Sequence, residues 1–257
     1  MNLESLLNIA IKAAEAACQE ILEVYNGDDF ETQLKSDNSP LTQADKRAHN
    51  VIASHLEQTG LPILSEEGKN VPYEERKNWK QFWMVDPLDG TKEFIKRNDE
   101  FTVNIALIEN QEPVLGVVAV PVSGVLYYGA NGLGAFKKVE GRQSRLTDNR
   151  QLATNNQLIT RVVASRSHMN EETEEYIKKL GKTEVVSAGS SLKFMLLAER
   201  KADIYPRFGP TMEWDTAAAH AILNELGFNI HKTDSQEYLT YNKNDLLNPY
   251  FIAKRKD

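Results

Sequence analysis

Apolar residues near the start of the chain recur at the spacing of a helix face. Leu3, Leu6, Leu7, Ala10, Ala14, Ala17, Ile21 and Val24 share one side, with Lys12, Glu15 and Glu20 off it, which predicts a long amphipathic helix. A second helix is expected after Thr42, whose hydroxyl can cap it, with Ala48, Val51, Ile52 and Leu56 inward and Asp45 in the first turn. The intervening Lys35 to Pro40 reads as a loop. Further on the period changes. Runs from Phe101 to Ile108, Val114 to Val120, Val125 to Ala130 and Ala135 to Val139 are strand-like and separated by polar or glycine-containing breaks, predicting an antiparallel meander. From about Val162 strands alternate with helices. Asn170 caps an acid-first helix ending at Gly181, and another helix follows Ser190. Such alternation is the pattern of an α/β half. The polar stretch Arg150 to Asn156 separates the two regions. The expected organisation is an α+β lobe over residues 1–152 and an α/β lobe over residues 153–257.

Composition narrows the class. A chain of 257 residues, 41% hydrophobic and 26% charged, can bury a sizeable core. Its net charge of -7, with no long Lys/Arg stripe to offset it, argues against nucleic-acid binding but leaves room for a small anionic ligand held by local cations. Cys18 is the sole cysteine, so no internal disulfide forms and a reducing compartment is compatible. Glu4 precedes the first lysine, unlike the basic start of a signal peptide, and no run of 18 apolar residues occurs. The expectation is a cytoplasmic protein without an integral membrane span, peripheral attachment on the cytoplasmic side of the inner membrane being the alternative. Oligomeric state is left unassigned.

The densest chemistry lies in Trp83-Met84-Val85-Asp86-Pro87-Leu88-Asp89-Gly90-Thr91, where two carboxylates leave an apolar strand three residues apart. Pro87 fixes its own φ and Gly90 tolerates unusual backbone, so Asp86, the Leu88 carbonyl and Asp89 can converge on one point, with the Thr91 hydroxyl beside it. At roughly 4 Å and an effective dielectric near 20, two such charges repel by about 4 kcal/mol. A hard cation would relieve that. Ile63-Leu64-Ser65-Glu66-Glu67-Gly68 ends another apolar run in acids, and Glu213-Trp214-Asp215-Thr216-Ala217-Ala218 opens a small-residue helix with one. Taken singly, each has a plainer reading: Asp86 and Asp89 as turn formers, Glu66 and Glu67 as a solvated pair, Asp45 and Asp215 as helix-dipole partners. Gly132-Leu133-Gly134 is too short for a dinucleotide fingerprint and reads as a strand connection. His49 and His55 do not share a face, His220 reads as packing, and no zinc spacing occurs.

Taken together in this order, Glu66-Glu67, Asp86-Pro87-Leu88-Asp89-Gly90-Thr91 and Trp214-Asp215 resemble the signature of the inositol monophosphatase family of magnesium-dependent, lithium-sensitive phosphatases. Within it the chain is most similar to the 3'(2'),5'-bisphosphate nucleotidases, through Lys92 to Asn98, Ser165 to His168, Gly189 to Phe194 and Tyr205 to Thr211. The likeness spans nearly the whole chain, with Met212-Glu213 a local variation. The resemblance implies a layered α+β and α/β fold, the inositol monophosphatase-like (sugar phosphatase) arrangement of alternating helix and sheet layers. It implies that Glu66, Asp86, the Leu88 carbonyl, Asp89 and Asp215 hold two or three magnesium ions, manganese being a substitute. Asp45 and Thr91 then orient and activate the attacking water, and Glu67 and Gly90 are second-line members. Ser165, His168, Gly189, Lys193 and Arg207 bind the nucleotide. The implied activity is removal of the 3'-phosphate of adenosine 3',5'-bisphosphate to give AMP, with the sulfated analogue as a further substrate, linking the enzyme to sulfur metabolism. Inositol monophosphatase or fructose-1,6-bisphosphatase activity is the alternative within the same chemistry. A non-catalytic metal and nucleotide sensor is the alternative outside it.

Overall fold

The computed structural model describes residues 1–27, 33–34, 40–147, 159–164, 169–235 and 237–256. Helix α1 (Leu3–Tyr25) is capped by the Asn2 side chain and buries Leu6, Leu7, Ala10, Ala13, Ala14, Ala17, Ile21 and Val24, the stripe that its periodicity predicts. Two short strands, β1 (Gln33–Leu34) and β2 (Pro40–Leu41), pair antiparallel. Helix α2 (Gln43–Leu56) then starts from a reciprocal cap between Thr42 and Asp45. Apart from Pro40, the expected loop over residues 35–40 lies outside the described residues.

Strand β3 (Ile63–Ser65) and, after the single-turn α3 (Tyr73–Arg76), strand β4 (Gln81–Asp89) run parallel. The turn of helix α4 (Thr91–Ile95) follows. Strands β5 (Thr102–Glu109), β6 (Glu112–Val120), β7 (Val125–Ala130), β8 (Gly134–Val139) and β9 (Arg142–Leu146) complete a seven-stranded sheet in sequential order. The predicted meander is present, antiparallel throughout from β4 onward. Gly132-Leu133-Gly134 connects two of its strands, as expected.

Strands β4 to β7 of this sheet are buried on both faces, which explains their nearly continuous apolar runs, whereas β9 is exposed and polar. Trp83, Val85, Ile105, Leu107, Val117 and Ala119 pack with α1 and α2. The alternating Phe82, Met84, Ala106, Ile108 and Val118 pack with residues of the C-terminal half. The larger of these side chains each contribute about 1.5–3 kcal/mol when fully buried, and the alanines less.

The C-terminal half comprises β10 (Thr160–Val163), α5 (Glu171–Lys179), β11 (Thr183–Val186), α6 (Leu192–Ala198), β12 (Ile204–Arg207), α7 (Glu213–Asn224), β13 (Phe228–Lys232) and β14 (Phe251–Arg255). Its five strands form one sheet in the order β11-β10-β12-β14-β13. Alternation predicts parallel pairing, and β10 does pair parallel with β11 and β12. β14, however, pairs antiparallel with both β12 and β13, because β13 reaches it without a crossover helix. The sheet is mixed. Helix α7 packs on the seven-stranded sheet through β4 to β8 and also on β13, while α6 packs on β12. Its approach is close: a Cβ at Gly116 of β6 would lie 2.0 Å from the Ala218 carbonyl oxygen. Helix and sheet layers therefore alternate, with α7 shared by both sheets. The expected boundary at 152/153 lies outside the described residues. No helix among the described residues is long and apolar enough to cross a membrane.

Candidate active site

Sheet register brings the acids together. Ser65 of β3 stands opposite Val85 of β4, so Glu66, whose N–H donates to the Val85 carbonyl at 3.1 Å, follows beside Asp86. On the other side of β4, Asp86 pairs with Asn104 and Asp89 with Thr102 of β5. Pro87 and Leu88 thus stand opposite the single Val103, a bulge placed where proline has no N–H for the ladder. The strand does not end in a turn at Asp86, as the sequence suggests, but carries on through the bulge to Asp89. There Gly90, at φ +96°, turns the chain into α4. A Cβ at that glycine would sit 3.3 Å from the Phe101 Cβ.

Helix α7 delivers Asp215 from the opposite layer, in its first turn. The Met212 N–H donates to Asp215 Oδ2 at 2.8 Å, and the Leu88 N–H donates to Asp86 Oδ1 at 3.0 Å. Asp86 is 1% exposed. Burial pushes its carboxyl well above the usual carboxylate range, and the charges of Glu66, Asp89 and Asp215 push it further. Asp215 is displaced the same way, by burial first and then by Asp89 and Glu66. These mutual repulsions put Glu66, Asp86, Asp89 and Asp215 in one electrostatic neighbourhood. Glu67 enters neither set. Its charge acts on His49 instead, whose Nδ1 is 2.9 Å from the Ser65 hydroxyl.

The pair expected to handle water is also assembled. The Thr91 hydroxyl is 3.3 Å from Asp45 Oδ1 and 3.4 Å from the Leu88 carbonyl. Asp45 Oδ2 accepts from the Thr42 N–H at 2.7 Å and the Thr42 hydroxyl at 2.5 Å, which fixes the carboxylate that Thr91 touches.

Asp89 and Asp215 open onto a cleft of about 450 Å³ that also presents Gly189, Lys193, Tyr205 and Arg207. Lys193 Nζ donates to the Ser190 carbonyl at 3.0 Å. Burial lowers its pKa, Asp89 opposes that, and Arg207 adds to the lowering. Arg207 donates to the Pro210 carbonyl at 3.0 Å, while its buried Nε has no protein partner. Gly189 is needed for close approach, since a Cβ there would lie 2.6 Å from the Glu100 carbonyl oxygen. Ser165 and His168 lie outside the described residues.

The donor set suits a hard divalent cation: carboxylates, a backbone carbonyl and a hydroxyl, with neither thiolate nor imidazole among the acids. In Asp86 and Asp215 the donors above engage one oxygen each. Among the described residues no three acidic or imidazole side chains close on a single point. Of these acids Asp89 and Asp215 line the cleft, while Asp86 is buried.

Several participants are not assigned a role by the sequence. Ser190, Ser191 and Asn104 donate to Asp89 at 2.6, 2.9 and 3.4 Å. Their signal is visible afterwards, as polar Thr102 and Asn104 inside the apolar β5 run. The Met212-Glu213 variation also gains an explanation. Glu213 is fully buried and accepts from the Asn242 and Lys243 N–H groups at 2.5 and 3.0 Å and from Lys243 Nζ, anchoring the start of α7. His220 packs, as expected, with Nδ1 2.9 Å from the Tyr241 hydroxyl.

Known proteins match nearly the whole chain. The model of the inositol monophosphatase family matches residues 2–256. The protein named 3'(2'),5'-bisphosphate nucleotidase CysQ from Salmonella typhimurium is 46% identical over 97% of this chain and 98% of its own. The protein of that name from Escherichia coli K12 is 44% identical over 96% and 98%. The crystal structure of CysQ from Bacteroides thetaiotaomicron superposes with a TM-score of 0.88, at 48% identity, over 99% of this chain and 98% of that one. Matched over residues 2–256 by the family model and 46% identical to a relative over nearly its whole length, the chain belongs to the inositol monophosphatase family.

Proposed function

We propose that this chain is a magnesium-dependent 3'(2'),5'-bisphosphate nucleotidase that hydrolyses the 3'-phosphate of adenosine 3',5'-bisphosphate to give AMP and phosphate. The observation that carries the reading is the polarity of one cleft. Asp89 and Asp215 line it together with Lys193 and Arg207, so a substrate with two phosphates could meet both a carboxylate-held cation and side-chain cations there. The names of the relatives from S. typhimurium and E. coli support the same substrate class.

Glu66, Asp86, Asp89, Asp215 and the Leu88 carbonyl would hold the cation. Bound magnesium supplies charge neutralisation at the phosphate and acidification of a water. Thr91 and Asp45 position the attacking water, Thr91 through its hydroxyl and Asp45 as the acceptor of the proton. Asp45 suits that role because Thr42 locks it in place. Lys193 and Arg207 hold the second phosphate, Arg207 as a planar donor and Lys193 as a point charge. Gly189 lets the nucleotide approach the backbone. No covalent phosphoenzyme is required, since the site presents a water-handling pair.

A phosphate-release panel in Mg2+ tests the reading. Adenosine 3',5'-bisphosphate should turn over faster than inositol 1-phosphate or fructose 1,6-bisphosphate, with inhibition by Li+. Faster turnover of the inositol ester would overturn the substrate assignment. Nucleotide binding without phosphate release would favour a sensor instead.

A further inference from the structure

Asp89 differs from the other acids of the site in how it is held. Backbone N–H groups on their own segments steady Asp86 and Asp215. Asp89 is steadied by side chains from distant parts of the chain, and all converge on Oδ2. Ser190 Oγ is 2.6 Å away, Ser191 Oγ 2.9 Å and Asn104 Nδ2 3.4 Å. Among the described residues no donor reaches Oδ1, the oxygen left to face a cation.

A proton count orders this network. Thr102 Oγ1 lies 2.6 Å from Ser190 Oγ and 3.2 Å from Asn104 Oδ1, to which it can donate instead; when its one proton goes to Ser190, the Ser190 proton is committed to Asp89. Asn104 Nδ2 donates to Ser191 Oγ at 3.0 Å. The Ser191 proton then goes to Asp89 or to the Asp215 carbonyl, 2.8 Å away. Ser191 is 1% exposed, so it has no solvent alternative. The backbone is strained to make this possible. Ser190 sits at φ +49°, a left-handed conformation that is unfavourable for a non-glycine residue. The preceding Gly189 is pressed onto Glu100, and Lys193 Nζ grips the Ser190 carbonyl.

We propose that Ser190 and Ser191 are positioning residues for Asp89, so that the turn forming the wall of the nucleotide cleft also sets the affinity of the site for its divalent cation. This rests on Asp89 being a ligand of that cation. Partners that orient a metal-binding carboxylate commonly account for about tenfold to a hundredfold in affinity.

The test is calorimetric titration of metal-free protein with Mg2+ alone, on wild type, Ser190→Gly, Ser191→Ala and Asp89→Asn, beside thermal unfolding in a chelator. Glycine at 190 removes the hydroxyl while relieving the strain, so that variant should melt at or above wild type. Each serine variant should bind Mg2+ about tenfold to a hundredfold more weakly, with less change in affinity for AMP. Wild-type Mg2+ affinity in Ser190→Gly would overturn the proposal. So would weakened AMP binding with Mg2+ affinity intact, which would make the serines substrate contacts. If Asp89→Asn itself binds Mg2+ like wild type, the ligand assignment fails along with the proposal.

Discussion

The Thr91 hydroxyl touches both a carboxylate and a carbonyl, at 3.3 Å from Asp45 Oδ1 and 3.4 Å from the Leu88 oxygen, and its one proton can serve only one of them. In the proposed mechanism the attacking water would be oriented by that hydroxyl, according to which acceptor Thr91 chooses. Thr91→Ala should lower kcat by about 10²–10⁴-fold, the range for a lost proton-handling group, while KM changes little. Thr91→Ser should keep most of the activity. Steady-state kinetics on the two variants check this, and near-normal kcat in the alanine variant would remove Thr91 from the water-handling pair.

Between elements, the most informative contact joins helix α6 to the seven-stranded sheet. Glu199, at the end of α6, accepts from the Tyr127 hydroxyl of β7 at 2.7 Å and pairs with Lys137 of β8 and with Lys201. Burial alone would raise its pKa. The hydrogen bonds from Lys137, Lys201 and Tyr127 outweigh it and hold the carboxyl at about 2, below its ordinary 4.5. The unfolded chain therefore binds this proton first as pH falls, so the contact stabilises fully above pH 4.5 and is lost as pH drops towards 2. Glu199→Gln should remove that component of the acid limb, giving a shallower loss of stability across the window in denaturant titrations. An unchanged slope would show that the bridge carries no net charge effect.

At the scale of the whole molecule, the candidate site lies where four segments meet: the ends of β3 and β4 in one sheet, the start of α7 and the turn before α6. Much of this was legible in the sequence because it is local. The stripe of α1, the Thr42 cap, the Asn170 cap and the four-strand meander each follow from neighbours within a few residues. Asp86, Asp89 and Thr91 share one local segment, but the acids taken singly have plainer readings, and Asp45 gains its role only through the family resemblance. Long-range pairing was not legible. Nothing near Ser190 and Ser191 announces that they reach Asp89, and nothing in β14 announces antiparallel pairing in a half that alternates strand and helix. The bulge at Pro87 needed β5 to reveal it. The small residues of α7 read as an ordinary helix until Gly116 showed how closely a sheet approaches them.

The central claim is that acids from these separate ends act as one cation-dependent phosphatase site. Its most direct test is phosphate release from adenosine 3',5'-bisphosphate as a function of Mg2+ concentration, for wild type and Asp89→Asn side by side. Wild type should be inactive in chelator and active with Mg2+, whereas Asp89→Asn should stay inactive at every concentration while keeping its folded circular-dichroism spectrum. Wild-type turnover by folded Asp89→Asn, or equal turnover of the wild type with and without the cation, would contradict the account.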